Sequence, residues 1–186
     1  MRRGSFAMIK KILLALILLI LAFCIVVALR PADFRITRSI SIAAPTAAIF
    51  PHVNDLRQWE AWSPWAKLDP KMKQEYGGEP AGPGATYHWA GNKEVGEGTM
   101  TITASRPTDL VSIRLEFLKP FAATNQTEFT FQPQGNETLV TWTMTGRNNF
   151  IAKAAHLVMN IDKLVGADFE KGLSQLKKVS EAGPKG

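Results

Sequence analysis

Three kinds of hydrophobic patterning follow one another along the chain. Residues 12–29, ILLALILLILAFCIVVAL, are 18 apolar residues without a charge, which as a helix reach about 27 Å, close to the thickness of a bilayer core. From Phe34 the period becomes two: Phe34, Ile36, Ile40 and Ile42 alternate with Arg35, Thr37, Ser39 and Ser41, the mark of a half-buried strand. Ala44-Pro45-Thr46 opens a short helix to about Val53, with Pro45 suited to its first turn. Leu56 to Trp62 makes a second short helical turn, stopped by Ser63-Pro64. Extended runs then predict strands near 72–76, 85–90, 96–105, 110–118, 124–132 and 137–146. Their connections are Gly77-Gly78 onward to Gly84, Gly91-Asn92, Pro107-Thr108-Asp109, Lys119-Pro120 and Gln134-Gly135-Asn136, as in an antiparallel meander. In the last strand Val140, Trp142 and Met144 share one face and Thr141, Thr143 and Thr145 the other.

From Phe150 to about Lys178 the period lengthens to 3.6, with a weak point around Asn160 or Gly166. Ile161, Leu164, Val165, Asp168, Phe169, Gly172, Leu173 and Leu176 form its apolar stripe, so the helix is expected to cover the sheet. The tail from Ser180 is expected to fray. The resulting division is a basic flank (1–11), a transmembrane signal anchor (12–29), a linker (30–33), one α+β domain (34–180) and a disordered tail (181–186).

Charge sharpens this division. Of the formal net charge of +6, residues 1–35 carry +5. The excess flanks the apolar run instead of marking the domain, so the basic balance does not point to nucleic acid. Basic residues before the run favour a cytoplasmic N-terminus and a single pass, with the domain periplasmic or extracellular. A cleavable signal peptide is the competing reading, but its apolar region is usually about 7–15 residues and ends in a small-residue site that is not evident near Arg30-Pro31. The only cysteine, Cys24, lies inside the run, directly after the bulky Phe23. It supports neither a lipoprotein site nor a disulfide framework.

The order of elements and five local motifs carry a resemblance. They are Ile42-Ala-Ala-Pro45 leading into Ile49-Phe50, Trp59-x-x-Trp62-Ser-Pro-Trp65, Gly84-Ala-Thr-Tyr87-His-Trp89 with Gly96-Glu-Gly98, Thr138-Leu-Val-Thr-Trp142, and Gly166-Ala-Asp-Phe169-Glu-Lys-Gly172-Leu173-x-x-Leu176-Lys177. In these the chain resembles the START-like (SRPBCC) superfamily of polyketide cyclases, Bet v 1-like proteins and lipid-transfer domains, as a bacterial membrane-anchored member. The resemblance implies a helix-grip fold, a curved antiparallel sheet around the long last helix with two short helices after the first strand. It also implies a cavity between sheet and helix. Members bind lipids, sterols, quinones and hormones, and a minority are enzymes.

The side chains expected to line such a cavity are Trp59, Trp62, Trp65, Tyr87, Trp89, Met100, Phe117, Phe129, Phe131, Trp142, Met144 and Phe169, with Tyr76 among the large rings of the same sheet and Asp168 as a polar contact. Tyr87, Trp89, Trp142 and Met144 are the preferred contacts, on the expectation that their strands are neighbours. Core packing is the alternative for each, a packed corner or an entrance gate for the three tryptophans, and a cap or ion pair near Gly166 for Asp168. His52, His88 and His156 lie on different elements, and His88 should point outward between Tyr87 and Trp89. No His, Cys or carboxylate group has metal-ligand spacing, and no nucleophile is set beside a base. Glu94 and Glu97 lie at a turn, while Glu116 and Glu128 should face water. Gly96-x-Gly98 leads into a strand, so it is no phosphate loop. No catalytic residue, metal or cofactor is therefore assigned. The leading expectation is membrane-tethered binding or carriage of a small hydrophobic molecule, such as a lipid, isoprenoid or quinone. The alternatives are a cyclase- or dehydratase-type enzyme and an interaction module for a membrane partner.

Overall fold

The computed structural model describes residues 2–183 and divides into two compact units. One unit takes the residues up to 33 together with 148–160; it contains helix α1 (Arg2–Leu29) and helix α3 (Phe150–Val158). Within α1, Met8–Leu29 is 22 residues long and apolar enough to cross a membrane, a property shared with signal sequences.

The other unit holds residues 34–147 and 161 onward. Its seven strands are β1 (Asp33–Ile42, whose first residue belongs to the other unit), β2 (Lys73–Gly77), β3 (Thr86–Ala90), β4 (Glu97–Arg106), β5 (Leu110–Lys119), β6 (Ala123–Gln134) and β7 (Glu137–Arg147). They form one curved sheet in the order β1-β7-β6-β5-β4-β3-β2, a meander closed on one side by the first strand. Helix α2 (Thr46–Asn54) and a 3-10 helix (Leu56–Ala61) join β1 to β2, and helix α4 (Ile161–Glu181) ends the domain. The α+β helix-grip architecture expected from the sequence is the one found.

Alternation decides which face is buried. On β6 the odd positions Asn125, Thr127, Phe129 and Phe131 are buried, and on β7 the even positions Thr138, Val140, Trp142 and Met144. The register sets Phe129 opposite Trp142 and Thr127 opposite Met144. The concave face therefore carries the rings in rows across the strands.

The last helix departs from its expected form. The 3.6 period runs on, but the helix breaks at Met159, whose backbone is extended at φ −125 and ψ 132, and the two halves fall in different units. Asn149 caps α3 by accepting a hydrogen bond from Ala152 N at 2.9 Å. Helix α4 begins at Ile161, so Gly166 lies inside it and Leu164 is exposed rather than part of the buried stripe. At the other end α4 continues to Glu181 with Ser180 buried, one residue into the expected tail. Residues 184–186 of the expected tail lie outside the described residues.

Two contacts fasten α4 to the edge strand β1. Arg38 shares the inward parity of Ile36 and Ile40, and its guanidinium satisfies every N–H it has. Nε donates to Glu170 at 2.7 Å, Nη1 to Asp162 Oδ1 and Thr37 O, and Nη2 to Asp162 O and Oδ2. Hydrogen bonds to Asp162 and Glu170 raise its pKa further above the usual arginine value. Gly166 sits between these two acids, one helical turn from each, and a Cβ there would collide with the Arg38 guanidinium. A glycine is what lets the helix cross the guanidinium. At the far end Lys177 Nζ donates to Ser41 O at 2.8 Å and to Glu181 Oε1, which also accepts from Ala43 N.

Candidate functional site on the concave face

The short 3-10 helix explains the tryptophan spacing. With about three residues per turn, positions i and i+3 eclipse, so Trp59 and Trp62 leave on one side with ring centroids 4.5 Å apart. Their indole N–H groups donate to Val53 O at 3.0 Å and His52 O at 2.9 Å. These are carbonyls of the last turn of α2, which the helix itself leaves unpaired. Trp142 is the hub against which they pack. It stacks on Phe169 at 4.0 Å and 5°, lies 4.8 Å from Phe129, and meets Trp62 and Trp65 edge-on at 5.8 and 5.9 Å. Phe131 packs edge-on against Phe50 at 5.6 Å. Gly172 of α4 comes so near that a Cβ would lie 2.9 Å from the Trp142 ring and 3.1 Å from Pro64.

This half of the concave face is closed. Trp59, Trp62, Phe129, Phe131, Trp142 and Phe169 are each at most 5% exposed, while Trp65 at its margin is half-buried. Trp59 and Trp62 are thus packed into a corner, with Trp65 at its edge.

The other expected contacts lie on β3, β4 and β5. Tyr87 and Trp89 are on β3 and Trp142 and Met144 on β7, with β4, β5 and β6 between them. The expectation that these strands are neighbours is therefore corrected, because the meander and the return of β1 beside β7 set β3 next to β2 and β4. At this end a second aromatic row runs across the strands. Tyr76 on β2 faces Tyr87 at 5.0 Å, Tyr87 stacks beside Trp89 at 5.9 Å, and Trp89 meets Phe117 of β5 edge-on at 6.0 Å. Trp89 lies over Gly98, where a Cβ would fall 2.5 Å from its ring, and its N–H donates to Val95 O. Met100 is buried next to Tyr87 in register. Tyr76, Tyr87, Leu115 and Phe117 remain half-buried, so this half of the concave face is only partly covered. Burial pushes the Tyr87 phenol up to about 12, with Tyr76 and then Glu60 adding to the effect. Tyr76 is raised as well, chiefly by burial, although the Arg57 guanidinium lies 5.3 Å over its ring.

Between the two halves are a few polar atoms. Thr127 Oγ1 and Trp142 Nε1 are buried with no hydrogen-bond partner, and Asn125 Nδ2 has a long contact to Met144 Sδ at 3.8 Å. Leaving such groups unpaired costs about 1–3 kcal/mol each. Asp168 is half-buried on α4, and the acids that pair beside Gly166 are Asp162 and Glu170. His88 points to the convex side, 3.2 Å from Thr99 Oγ1. Among the described residues no group of three or more His, Cys, Asp or Glu is placed to hold a metal ion.

Arg38, Leu115, Asn125 and Thr127 were not singled out in the sequence. Parity carried the signal for three of them: Arg38 is in step with Ile36 and Ile40, and Asn125 and Thr127 with Phe129 and Phe131.

This arrangement of sheet, corner and last helix matches a known family over residues 33–181, described as polyketide cyclase / dehydrase and lipid transport. The chain belongs to that family. No curated protein matches it. Solved structures of the same fold include CV1439 from Chromobacterium violaceum, with a TM-score of 0.56 at 13% identity over 82% of this chain and 99% of that one. Ara h 8.0201 gives 0.55 at 11% identity over 81% and 99%. DynU16, a protein of the dynemicin biosynthetic locus, gives 0.53 at 16% identity over 81% of this chain and 48% of that one. At these identities the likeness is one of fold alone.

Proposed function

We propose that this family member binds a small hydrophobic molecule against the half-open end of its concave face, while α1 tethers it to a membrane. The supporting observation is the contrast between the two halves of one sheet. Residues around Trp142 interlock, whereas Tyr76, Tyr87, Leu115 and Phe117 keep apolar surface partly uncovered. A row of rings with few polar atoms suits an apolar guest. Asn125 and Thr127, at the margin of that row, suit a guest carrying one hydrogen-bonding group. The lipid-transport part of the family description agrees with this reading, as does a helix of membrane-spanning length.

The test is to extract the full chain from its membrane in detergent-free polymer particles and quantify the apolar molecules recovered with it. Tyr87→Arg, at a half-buried position, keeps the tether and its annular lipids but fills the row with a charge. An equimolar apolar species present with the unsubstituted chain and lost with Tyr87→Arg is expected; identical recoveries from both would remove the proposal.

A further inference from the structure

Helix α3 has no buried residue at all, yet it is rich in large apolar side chains. Phe150 is 48% exposed, Ile151 65%, Val158 81% and the following Met159 49%. Packing within the protein does not account for these residues, and an exposed apolar cluster of this kind marks a contact surface. Residues 147–160, RNNFIAKAAHLVMN, contain Arg147 and Lys153 and no acid.

The place of α3 within its own unit says what covers it. Lys153 Nζ donates to Ala28 O at 2.8 Å and to Arg30 O at 3.0 Å, and Asn148 N donates to Ala32 O at 2.8 Å. Ala28 and Arg30 bracket Leu29, the last residue of α1, where the helix leaves carbonyls without partners and favours a cation. Met8–Leu29, at 22 residues, reaches about 33 Å against a hydrocarbon core of about 30 Å. Its C-terminal end therefore meets the headgroup boundary, and a helix tied to that end by a lysine side chain lies at the same depth.

We propose that α3 is a second membrane-contacting element, lying in the headgroup region with Ile151 and Val158 turned into the lipid. The inference rests on reading α1 as a membrane span. Helix α3 carries one lysine and no acid, and an amphipathic helix of that kind lies in an interface through its apolar face. Lys153 has a double role, closing the carbonyl end of the span and holding α3 at the boundary. The chain thus touches the bilayer twice, once before β1 and once between β7 and α4.

The experiment uses the full chain, with Cys24→Ser, reconstituted in phosphatidylethanolamine/phosphatidylglycerol vesicles. Single cysteines carrying an environment-sensitive fluorophore replace Ile151, Val158, Leu19 within α1, and Gln132 on β6. Nitroxide-bearing lipids are then added as quenchers. The expected result is strong quenching, about twofold or more, at 151, 158 and 19 and none at 132. Quenching at 19 with 151 and 158 behaving like 132 overturns the inference and leaves the tether standing. No quenching at 19 removes the tether and the inference with it. Disulfide formation between two copies of the Val158→Cys chain, in place of lipid quenching, assigns the face to a second copy and also overturns it.

Discussion

The chain has two tyrosines, and Tyr76 and Tyr87 stand side by side at the half-open end of the concave face. Their phenols report how dry that end is. Burial disfavours the phenolate, so both ionise above the ordinary value of 10.0, Tyr87 at about 12. A group whose folded value is raised stabilises the fold fully below its unfolded value. That contribution is lost as the pH rises from 10.0 toward about 12. A phenolate absorbance titration of the full chain sees these two groups alone. Both midpoints are expected above 10, with the later one removed by Tyr87→Phe. A single midpoint at the free-tyrosine value would mean that the row stands in water and that no guest site is formed there. This end of the site was only partly legible in the sequence. Period two marked Tyr87, Trp89 and Phe117 as inward, but which rings are half-open depends on strand order, and strand order is set by pairings far apart in the chain.

Among the elements, the local ones were the most readable. The Trp59-x-x-Trp62 spacing suits a 3-10 turn, and the first-strand alternation fixed the face of β1. The break between α3 and α4 was readable only as a weak point, because nothing local says that one amphipathic segment serves two units. The glycines of α4 were legible as costs. Each gives up about 1 kcal/mol of helix propensity relative to alanine, so each calls for a close neighbour, and the neighbours are now specific. Gly172→Ala would press its Cβ against the Trp142 ring and Pro64, both held in a packed corner. The overpacking cost of about 1–3 kcal/mol outweighs the gain in propensity. Gly166→Ala meets the far end of the Arg38 side chain, which swings away at the loss of its hydrogen bonds but without moving the backbone. Denaturant unfolding followed by tryptophan fluorescence should therefore show a lower midpoint for Gly172→Ala than for Gly166→Ala. The reverse order would mean that the corner around Trp142 is loose.

For the molecule as a whole, a tethered binding domain would lie on the side of the membrane that the flanking charges select. Residues 1–35 hold +5 of the +6 net charge, and Arg2, Arg3, Lys10 and Lys11 precede the apolar run. Basic residues close to a span resist translocation, so this end is expected on the cytoplasmic side. Arg30, Arg35 and Arg38 on the far side, offset by Asp33, weaken the bias without reversing it. The domain is then expected outside the cytoplasmic membrane, next to the outer leaflet that would supply an apolar guest. Protease added to cells with the cytoplasmic membrane intact, and any outer barrier permeabilised, should digest the domain and leave α1 protected. Replacing Arg2, Arg3, Lys10 and Lys11 together with glutamine should raise the fraction of chains whose domain is protected, because the remaining positive charge then lies beyond the span. A domain resistant in intact cells and cleaved only after lysis would place it on the cytoplasmic side, and its guest would have to come from the inner leaflet.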